Sequence, residues 1–406
     1  MKFLHTADWH LGKSLEGYSR LPEQEEFAKD FVKICEGKKP DIIMISGDIF
    51  DNPNPPAKAQ SIFYDCIKKA TEVSEGLMFI IPGNHDSALR LSAAKNLASE
   101  CGIAIMEDYC DMTEPGPLGK GQILSSAQGV VRVRLRGQEA NIAMVPFMSE
   151  TALGISLYDI DFDDETNASN YQIKLKQIFD KRAEFFDEKA YNFLMAHLFT
   201  AKSELSGDEK VSMLGASYMI GSEIFPENAD YIALGHIHKM QKVSGVNGRA
   251  YYSGSPIHYN KTELKTPEKY LIYGELDEKK NLSIEKIPLP VYKKIEIWEV
   301  DDYKQALRLA EQNQDENSWV YIDIKNSELL TSEDISKLKS LKPDIIDIKI
   351  GAAQQQLEFE QENLKEMSET EKFTEFYKQQ TGQEPEEEIS KKFLYFLDKA
   401  FEDEEN

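Results

Sequence analysis

The stretch Ile80-Ile81-Pro82-Gly83-Asn84-His85-Asp86 decides how this sequence is interpreted. The apolar run from Leu77 to Ile81 predicts a buried strand, and Pro82-Gly83 ends it. An amide, an imidazole and a carboxylate then follow in direct succession. Three polar groups at one strand end could belong to a solvated loop, so their meaning depends on how the other strands end.

Four other apolar runs end in the same way, with polar side chains directly after them. In the open sheets of α/β proteins, ligands bind at the carboxyl ends of the strands, so these side chains are expected to meet in one crevice. Residues spaced i, i+2 on an extended backbone also point to one side. The residues that follow the five strands are Asp8 and His10, Asp48, Asn84 and His85, His197, and His236 and His238.

The first third of the chain alternates apolar runs with helical periodicity, which is typical of a mostly parallel sheet flanked by helices. A hairpin at 130–135 and 141–145, followed by strands at 192–196 and 230–234, indicates a second sheet. Further strands are predicted at 249–253, 270–275 and 282–287. The predicted helices span 22–35, 59–70, 88–99 and 171–189, and the Gly/Pro-rich piece 114–121 is predicted to be a loop.

The pattern restarts on a smaller scale after Pro288-Leu289-Pro290. Strands at 295–300, 319–324 and 345–350 alternate with helices at 303–312 and 332–340, which predicts a small α/β unit. Acidic helical segments without a strand signal follow. We therefore expect domains at 1–280, 281–350 and 351–406.

Composition limits the class of protein. The net charge of −24 argues against a nucleic-acid partner, since phosphate contacts normally come from a basic surface. The charge is uneven, however, because residues 351–406 hold 16 Asp and Glu against 6 Lys. No apolar run reaches the length of about 18 residues that spans a membrane. Four scattered cysteines and no secretory signal predict a cytoplasmic protein without membrane contact.

The polar residues at the strand ends have the chemistry of a metal site. Crowding so many polar groups into one buried place without a cation would cost several kcal/mol each. Imidazole and carboxylate without thiolate suit Mn, Fe, Zn or Co, and seven donors suit two ions better than one. Two such ions can promote the attack of water on a phosphoester. Other polar residues carry weaker signals: His5 is expected in the core, His258 is left open, and Asp51 and Asp86 could be supporting groups or turn formers.

These motifs together resemble the calcineurin-like metallophosphoesterases. The flanking residues are closest to a bacterial DNA-nuclease branch of that family, over about residues 1–275. The matching segments are Asp8-x-His10, Gly47-Asp48-x-x-Asp51, Gly83-Asn84-His85-Asp86, His197, Gly235-His236-x-His238, His5-Thr6-Ala7-Asp8-Trp9-His10-Leu11-Gly12 and Tyr252-Ser253-Gly254-Ser255-Pro256.

The resemblance implies a sandwich of two mixed sheets flanked by helices, with two divalent cations, Mn²⁺ in this family. It assigns Asp8, His10, Asp48 and His238 to one ion. It assigns Asp48, Asn84, His197 and His236 to the other, so that Asp48 bridges both. By the same resemblance, His85 lies beside the scissile phosphate as a catalytic group, and Asp86 orients it.

The resemblance also implies partners. A nucleoid-associated homodimer would assemble with the SbcC ATPase into a heterotetramer that cleaves DNA ends, hairpins and single strands during repair, recombination and replication. The 281–350 unit would be a capping domain that helps to position DNA. Helices within 355–401 would dock on the base of the SbcC coiled coil, although packing on their own core is the alternative. The residues expected to dock are Phe373, Phe376, Tyr377, Phe393, Phe396 and Leu397.

DNA contact has to rest on local basic groups, because the chain is acidic. The candidates are Lys13, Arg20, Lys58, Arg90 and the strand that carries Arg132, Arg134 and Arg136. Helices 57–73 and 88–99 are candidates for the dimer contact.

Two alternative functions remain at this point. An enzyme of the same fold could act on a small phosphodiester or a phosphoprotein, but that enzyme would need neither a cap nor an acidic helical tail. A scaffold that has lost its metals would normally lack some ligands, and this sequence keeps all seven.

Overall fold

A computed structural model describes residues 1–149, 164–200, 220–265, 268–325 and 330–351, together with Leu153, Ser203 and Pro385. The chain divides into two units, Met1–Ile295 and Glu296–Asn406. The domain limits expected at 280 and 350 stay a prediction. The six aromatic and aliphatic residues expected to dock on a partner lie outside the described residues.

The first unit holds sixteen of the described strands and five of the described helices. Its strands are β1 (Lys2–Thr6), β2 (Ser14–Leu15), β3 (Tyr18–Ser19), β4 (Ile42–Ser46), β5 (Leu77–Ile81), β6 (Ile103–Ile105), β7 (Gly116–Leu118), β8 (Gly121–Ala127), β9 (Val130–Leu135), β10 (Gln138–Val145), β11 (Tyr191–His197), β12 (Tyr231–Gly235), β13 (Gln241–Lys242), β14 (Ala250–Tyr252), β15 (Lys269–Leu276) and β16 (Leu282–Leu289). Its helices are α1 (Leu21–Lys38), α2 (Ala57–Ser74), α3 (Ala88–Ser92), α4 (Lys95–Glu100) and α5 (Asp164–Ala183), and two 3-10 turns lie at Ser222–Ile224 and Lys261–Lys265.

Fourteen of these strands form two mixed sheets that pack face to face, while β2 pairs only with β3. The first runs β16-β15-β1-β4-β5-β6, and the second runs β13-β14-β12-β11-β10-β9-β8-β7. β1, β4, β5 and β6 are parallel, as are β10, β11 and β12. Apolar side chains from both sheets fill the interface, where the rings of Phe3 and Phe193 meet edge to face at 5.4 Å. The predicted sandwich of two mixed sheets is confirmed.

Helices α1 and α2 cover the outer face of the first sheet. Their apolar stripes close over Trp9, whose ring lies 4.9 Å from that of Phe27 and 5.1 Å from that of Phe31. The Trp9 indole donates to the Thr6 hydroxyl at 2.8 Å, so its one polar atom is satisfied inside the core. This packing fixes the segment that follows β1, where the first predicted ligands lie.

Two local predictions were wrong. Residues 114–121 are not wholly a loop, because β7 pairs with β8 across a tight turn in which Gly119 has a φ of 50°. A strand of three residues at the sheet edge is too short to show a periodic pattern, and Pro117 is tolerated there because an edge strand does not need every N–H. The helix expected over 88–99 is broken at Ala93 and Ala94 into α3 and α4.

The second unit contains β17 (Lys294–Val300), α6 (Tyr303–Gln312), β18 (Ser318–Ile324), α7 (Ser332–Leu341) and β19 (Ile345–Ile350). The strands form one sheet in the order β17-β18-β19. Asp302 caps α6, and Thr331 forms a capping box with Asp334 at the start of α7. The predicted alternation of strands and helices is confirmed here. No helix in the described parts of the chain is long and apolar enough to cross a lipid bilayer.

Candidate metal centre

The predicted ligands meet where strands of the two sheets end side by side. Asp8 and Asp48 follow β1 and β4 of the first sheet, while His197 and His236 lie at the ends of β11 and β12 in the second. The His197 ring bridges the sheets, because its Nδ1 hydrogen-bonds to the Ser46 carbonyl at 2.8 Å. The expectation that remote strand ends converge at one edge agrees with this geometry.

Four of these residues have an unusual backbone conformation. The φ angles of Asp8, His10, Asp48 and His236 are 56°, 43°, 51° and 104°. Positive φ is uncommon outside glycine and tends to occur where function requires strain. Backbone hydrogen bonds stabilise it here, from Asp8 to the Gly47 carbonyl at 3.0 Å and from His10 to the Asp48 carbonyl at 2.9 Å.

Asp8, His10, Asp48 and His238 form one group of donors. The Nε2 atoms of His10 and His238 lie 3.0 Å apart, and His10 Nε2 lies 3.6 Å from Asp48 Oδ2. Donor atoms of Asp8, His10 and Asp48 lie within 4.8 Å of one another. All four side chains are buried.

A second group lies on the other side of Asp48. His197 Nε2 is 3.4 Å from Asp48 Oδ2 and 3.0 Å from Asn84 Oδ1, and His236 Nδ1 is 3.1 Å from the same Asn84 oxygen. Donor atoms of Asp48, His197 and His236 again lie within 4.8 Å of one another. One carboxylate is therefore shared by two groups of donors, the arrangement that a pair of cations requires.

The buried polar atoms fit divalent cations. Asp8 Oδ2 is buried and has no hydrogen-bond partner among the described residues, although the other oxygen of Asp8 accepts from the His236 N–H at 2.9 Å. A buried carboxylate oxygen without a partner is costly, and a metal ion would satisfy it. Carboxylate, imidazole and amide donors without thiolate suit Mn²⁺ and similar ions.

The electrostatics of the two carboxylates differ. Burial raises the pKa of the Asp8 carboxyl to about 7. Burial alone would also raise the pKa of Asp48, but His197, His10 and His85 together outweigh it and hold that pKa well below its usual value. Burial lowers the pKa of His197, but the charge and hydrogen bond of Asp48, the charge of Asp8 and the Ser46 carbonyl together raise that pKa to about 9. Asp48 is therefore the more acidic of the two carboxyls, and it lies between the two groups of donors.

His85 lies beside the first group, and its backbone is tied to Asp48. Its ring lies 4.8 Å from that of His10, and its N–H donates to Asp48 Oδ1 at 2.9 Å. The ring Nδ1 hydrogen-bonds to the Asp51 carbonyl at 2.8 Å. Since the ring is partly exposed and its backbone is fixed, it can face a substrate.

The Asp86 carboxylate is placed differently from the expectation that it orients His85. It accepts hydrogen bonds from the backbone N–H groups of Ile49, Phe50 and Gly83, at 2.9–3.0 Å. It therefore joins the loop after β4 to the loop after β5. The Asp51 carbonyl oxygen contacts the His85 ring instead.

Sequence reasoning missed three buried groups that support the ligands. Gln24 donates to the His10 carbonyl at 2.8 Å, the Tyr259 hydroxyl donates to the Trp9 carbonyl, and Glu263 accepts from His238 Nδ1 at 3.4 Å. None of them follows an apolar strand, so the signal that revealed the ligands does not reveal these residues.

The basic residues expected to contact DNA lie in different surroundings. Lys13 is at the site, 3.2 Å from an Asp51 oxygen, and Arg90 donates to Asn54 Oδ1 at 2.6 Å. Lys58 is exposed and pairs with Glu25. Arg20 is only 2% exposed, pairs with Glu23 and donates to the His258 carbonyl, so it has no surface to offer DNA.

β9, the strand that carries Arg132, Arg134 and Arg136, lies at the opposite end of the sandwich from the two donor groups. Arg136 pairs with Asp41, which precedes β4, whereas Asp48 follows that strand. Arg132 and Arg134 both pair with Glu139 at the start of β10. The contribution of this strand to DNA contact stays a prediction, and such a contact would lie away from the two donor groups.

His5 and His258 lie outside both donor groups. His5 is buried and hydrogen-bonds to the Tyr231 hydroxyl at 2.9 Å, and burial lowers its pKa to about 3, as suits a core residue. His258 is also buried, and its carbonyl accepts from Arg20.

Comparisons with known proteins agree with this geometry. Residues 1–240 match the family described as calcineurin-like phosphoesterase. Residues 291–381 match the type 5 capsule protein repressor C-terminal domain. These two matches cover most of the chain.

Three relatives carry the same name, that of the D subunit of the nuclease SbcCD. The chain is 31% identical to this protein from Bacillus subtilis, over 97% of each chain. It is 29% identical to the protein from Rhodobacter capsulatus, over 65% of this chain and 64% of the relative. It is 24% identical to that of Staphylococcus epidermidis, over 98% of each chain.

The tight contact between the loops after β4 and β5 yields a prediction. A methyl group on Gly83 would overlap the Asp48 carboxylate and its backbone nitrogen. We expect Gly83→Ala to fold but to displace Asp48, lowering bound metal and cutting phosphoester hydrolysis by about 100-fold or more, the effect of a misplacement near 1 Å. Elemental analysis and an activity assay measure both. Gly37→Ala is the control, since nothing lies within 4 Å of a methyl group there. Normal metal content in Gly83→Ala would contradict the prediction.

Proposed function

Because the chain belongs to the calcineurin-like phosphoesterase family and, within it, groups with the D subunits of SbcCD nucleases, we propose that it is a two-metal DNA nuclease. The observation that carries the proposal is the Asp48 carboxylate shared by two buried donor groups at one edge of the sandwich. Exonuclease action on duplex ends and endonuclease action on hairpins and single strands are the proposed reactions.

The residues that would hold the two cations are those of the two donor groups. Asp8, His10, Asp48 and His238 would hold one, and Asp48, Asn84, His197 and His236 the other. Bound divalent cations supply an activated water and stabilise negative charge at phosphorus. We propose Mn²⁺ as the metal, from the donor chemistry and the resemblance.

The protein's own groups have separate tasks. His85 is anchored by its backbone to Asp48 and by Nδ1 to the Asp51 carbonyl, so its Nε2 is directed away from both anchors. We assign to this atom the stabilisation of the phosphoryl group or the protonation of the leaving oxygen. Asp86 joins the two loops that carry Asp48 and Asn84, by accepting backbone hydrogen bonds from both.

Lys13 and Arg90 are the basic residues best placed for the DNA backbone. Lys13 forms an ion pair with Asp51 beside the donor groups. Arg90 donates a hydrogen bond to Asn54, which lies on the loop between Asp48 and α2. Phosphate contacts of this kind position a duplex without reading its sequence. Arg20 is left out of this surface.

We also propose how the chain assembles with a partner protein and with a second copy of itself. We infer that the chain works with the SbcC ATPase through the segment 355–401, and that it forms a homodimer through α2, α3 and α4. Leu89 on α3 and Leu97 on α4 are 73% and 72% exposed, which suits a contact between copies. Two of the relatives match over nearly the whole chain, so a small-diester enzyme that lacks the C-terminal parts is the poorer comparison.

The substrate is tested by adding Mn²⁺ and, separately, a linear duplex, a DNA hairpin and bis-p-nitrophenyl phosphate. We expect cleavage of both DNA substrates, lost when EDTA removes the metal. Turnover of the small diester with both DNA molecules left intact would favour the alternative phosphodiesterase and overturn the nuclease proposal.

His85→Ala separates catalysis from metal binding. The variant keeps the backbone N–H that donates to Asp48, so bound metal should stay near normal while hydrolysis falls by about 10²–10⁴-fold. Metal analysis and single-turnover kinetics measure the two effects. His197→Ala is the comparison variant and should lose metal. Loss of both ions from His85→Ala would show that its role is assigned wrongly.

The partner is tested with the full chain carrying Phe373→Asp and Phe376→Asp. Two charges on a docking face should abolish co-purification with SbcC while Mn²⁺-dependent cleavage without ATP stays within about twofold. Lys378→Asp, in the same segment but outside the predicted apolar face, is the control. Undiminished SbcC binding by the double variant would refute this docking surface.

A further inference from the structure

A buried ion pair contacts one of the proposed ligands, His238. Glu263 is 0% exposed and Lys269 is 6% exposed, and their side chains pair with each other. Replacing a buried ion pair by apolar residues often leaves a protein as stable or more stable. Stability alone therefore gives a weak reason for this pair, and its other contacts are more informative.

The pair holds His238 at two points. Glu263 Oε1 accepts from the ring Nδ1 at 3.4 Å, and Lys269 Nζ donates to the His238 carbonyl at 3.2 Å. A carboxylate that accepts from Nδ1 requires that this nitrogen carry the hydrogen, so the lone pair of the neutral ring is on Nε2, the nitrogen on the side of the cluster. His238 Nε2 indeed lies 3.0 Å from His10 Nε2.

The surrounding groups make the Glu263–Lys269 pair rigid. The Tyr259 N–H donates to Glu263 Oε1 at 3.1 Å, and the Ser255 hydroxyl lies 3.4 Å from Oε2. Lys269 Nζ also donates to the Ser255 hydroxyl at 2.7 Å. Carboxylates that accept from a ligating imidazole fix its tautomer and raise its basicity.

The other donor group is held differently. His197 Nδ1 hydrogen-bonds to the neutral carbonyl of Ser46, and His236 Nδ1 faces Asn84. His238 differs from His197, because its Nδ1 contacts a fully buried carboxylate, whereas Nδ1 of His197 contacts a neutral carbonyl. Nδ1 of His236 instead contacts Asn84, a proposed ligand of its own group. The support is therefore asymmetric between the two groups.

We propose that Glu263 and Lys269 are positioning residues for a divalent cation, acting selectively on the group that contains His238. This inference rests on the proposed two-metal function and specifies which of the two sites depends on the pair. Loss of the carboxylate should weaken one cation site and spare the other.

The test titrates Mn²⁺ into metal-free, full-length protein and follows free Mn²⁺ by electron paramagnetic resonance. Wild type should bind two ions. In Glu263→Gln one site should weaken by about 10–100-fold, as expected for loss of such a partner, while the other changes by less than about threefold. Two sites of wild-type affinity would overturn the inference.

Two further variants separate positioning from structural effects. Glu263→Gln/Lys269→Met removes both buried charges, so it should fold even if the single variant does not, and the single weak site should persist. Wild-type affinity at both sites in this folded double variant would overturn the inference, as would equal weakening of both sites. Asp230→Asn, which breaks the partly buried pair with Lys280 at the opposite end of β12 from His236, is the matched control and should leave both sites unchanged.

Failure of this inference can be distinguished from failure of the proposed function. If wild type binds no Mn²⁺, the two-metal function falls and this inference falls with it. If wild type binds two ions and cleaves DNA while Glu263→Gln matches it, only the positioning role is refuted.

Discussion

The Asp48 carboxylate is the group on which the arrangement of this site depends. It is 2% exposed, it lies 3.6 Å from the His10 ring nitrogen and 3.4 Å from that of His197, and it accepts from the His85 N–H at 2.9 Å. A buried anion needs positive charge and hydrogen-bond donors around it, because its desolvation otherwise costs several kcal/mol. Both sheets contribute to meeting that need, so the position of Asp48 ties the two halves of the sandwich together at one edge.

The loops that hold Asp48 are themselves constrained. Gly83 passes so close to this carboxylate that no side chain fits there, and Asp86 fastens the two loops by three backbone hydrogen bonds. Residues with positive φ, each costing on the order of 1–3 kcal/mol, persist only where such surroundings hold them. The rigid sandwich therefore bears the strain that places the donors before any cation binds.

The sequence could predict the parts of this design that repeat a local pattern. Apolar runs followed by polar residues revealed the strands and all seven proposed ligands, because parallel strands must end together. Glu263, Lys269 and Gln24 could not be found in this way, since they lie on a 3-10 turn, at a strand start and on a helix, and reach the site only through tertiary packing. The surroundings of Arg132, Arg134 and Arg136 could not be predicted either, because strand direction places them at the far end of the sandwich, where acidic residues pair with them.

The acidic balance of the chain has a consequence for how DNA could be attracted. Lysine and arginine side chains considered for DNA contact each have an acidic or amide neighbour. They alone therefore give little net attraction for DNA phosphates near the two donor groups. Two divalent cations would invert the local charge, because they would outweigh the carboxylates of Asp8 and Asp48. A net positive centre of this kind would favour phosphate binding at the proposed site of hydrolysis over binding elsewhere on an acidic protein. The strong negative charge is then compatible with a nuclease, because it disfavours non-specific binding elsewhere on the protein.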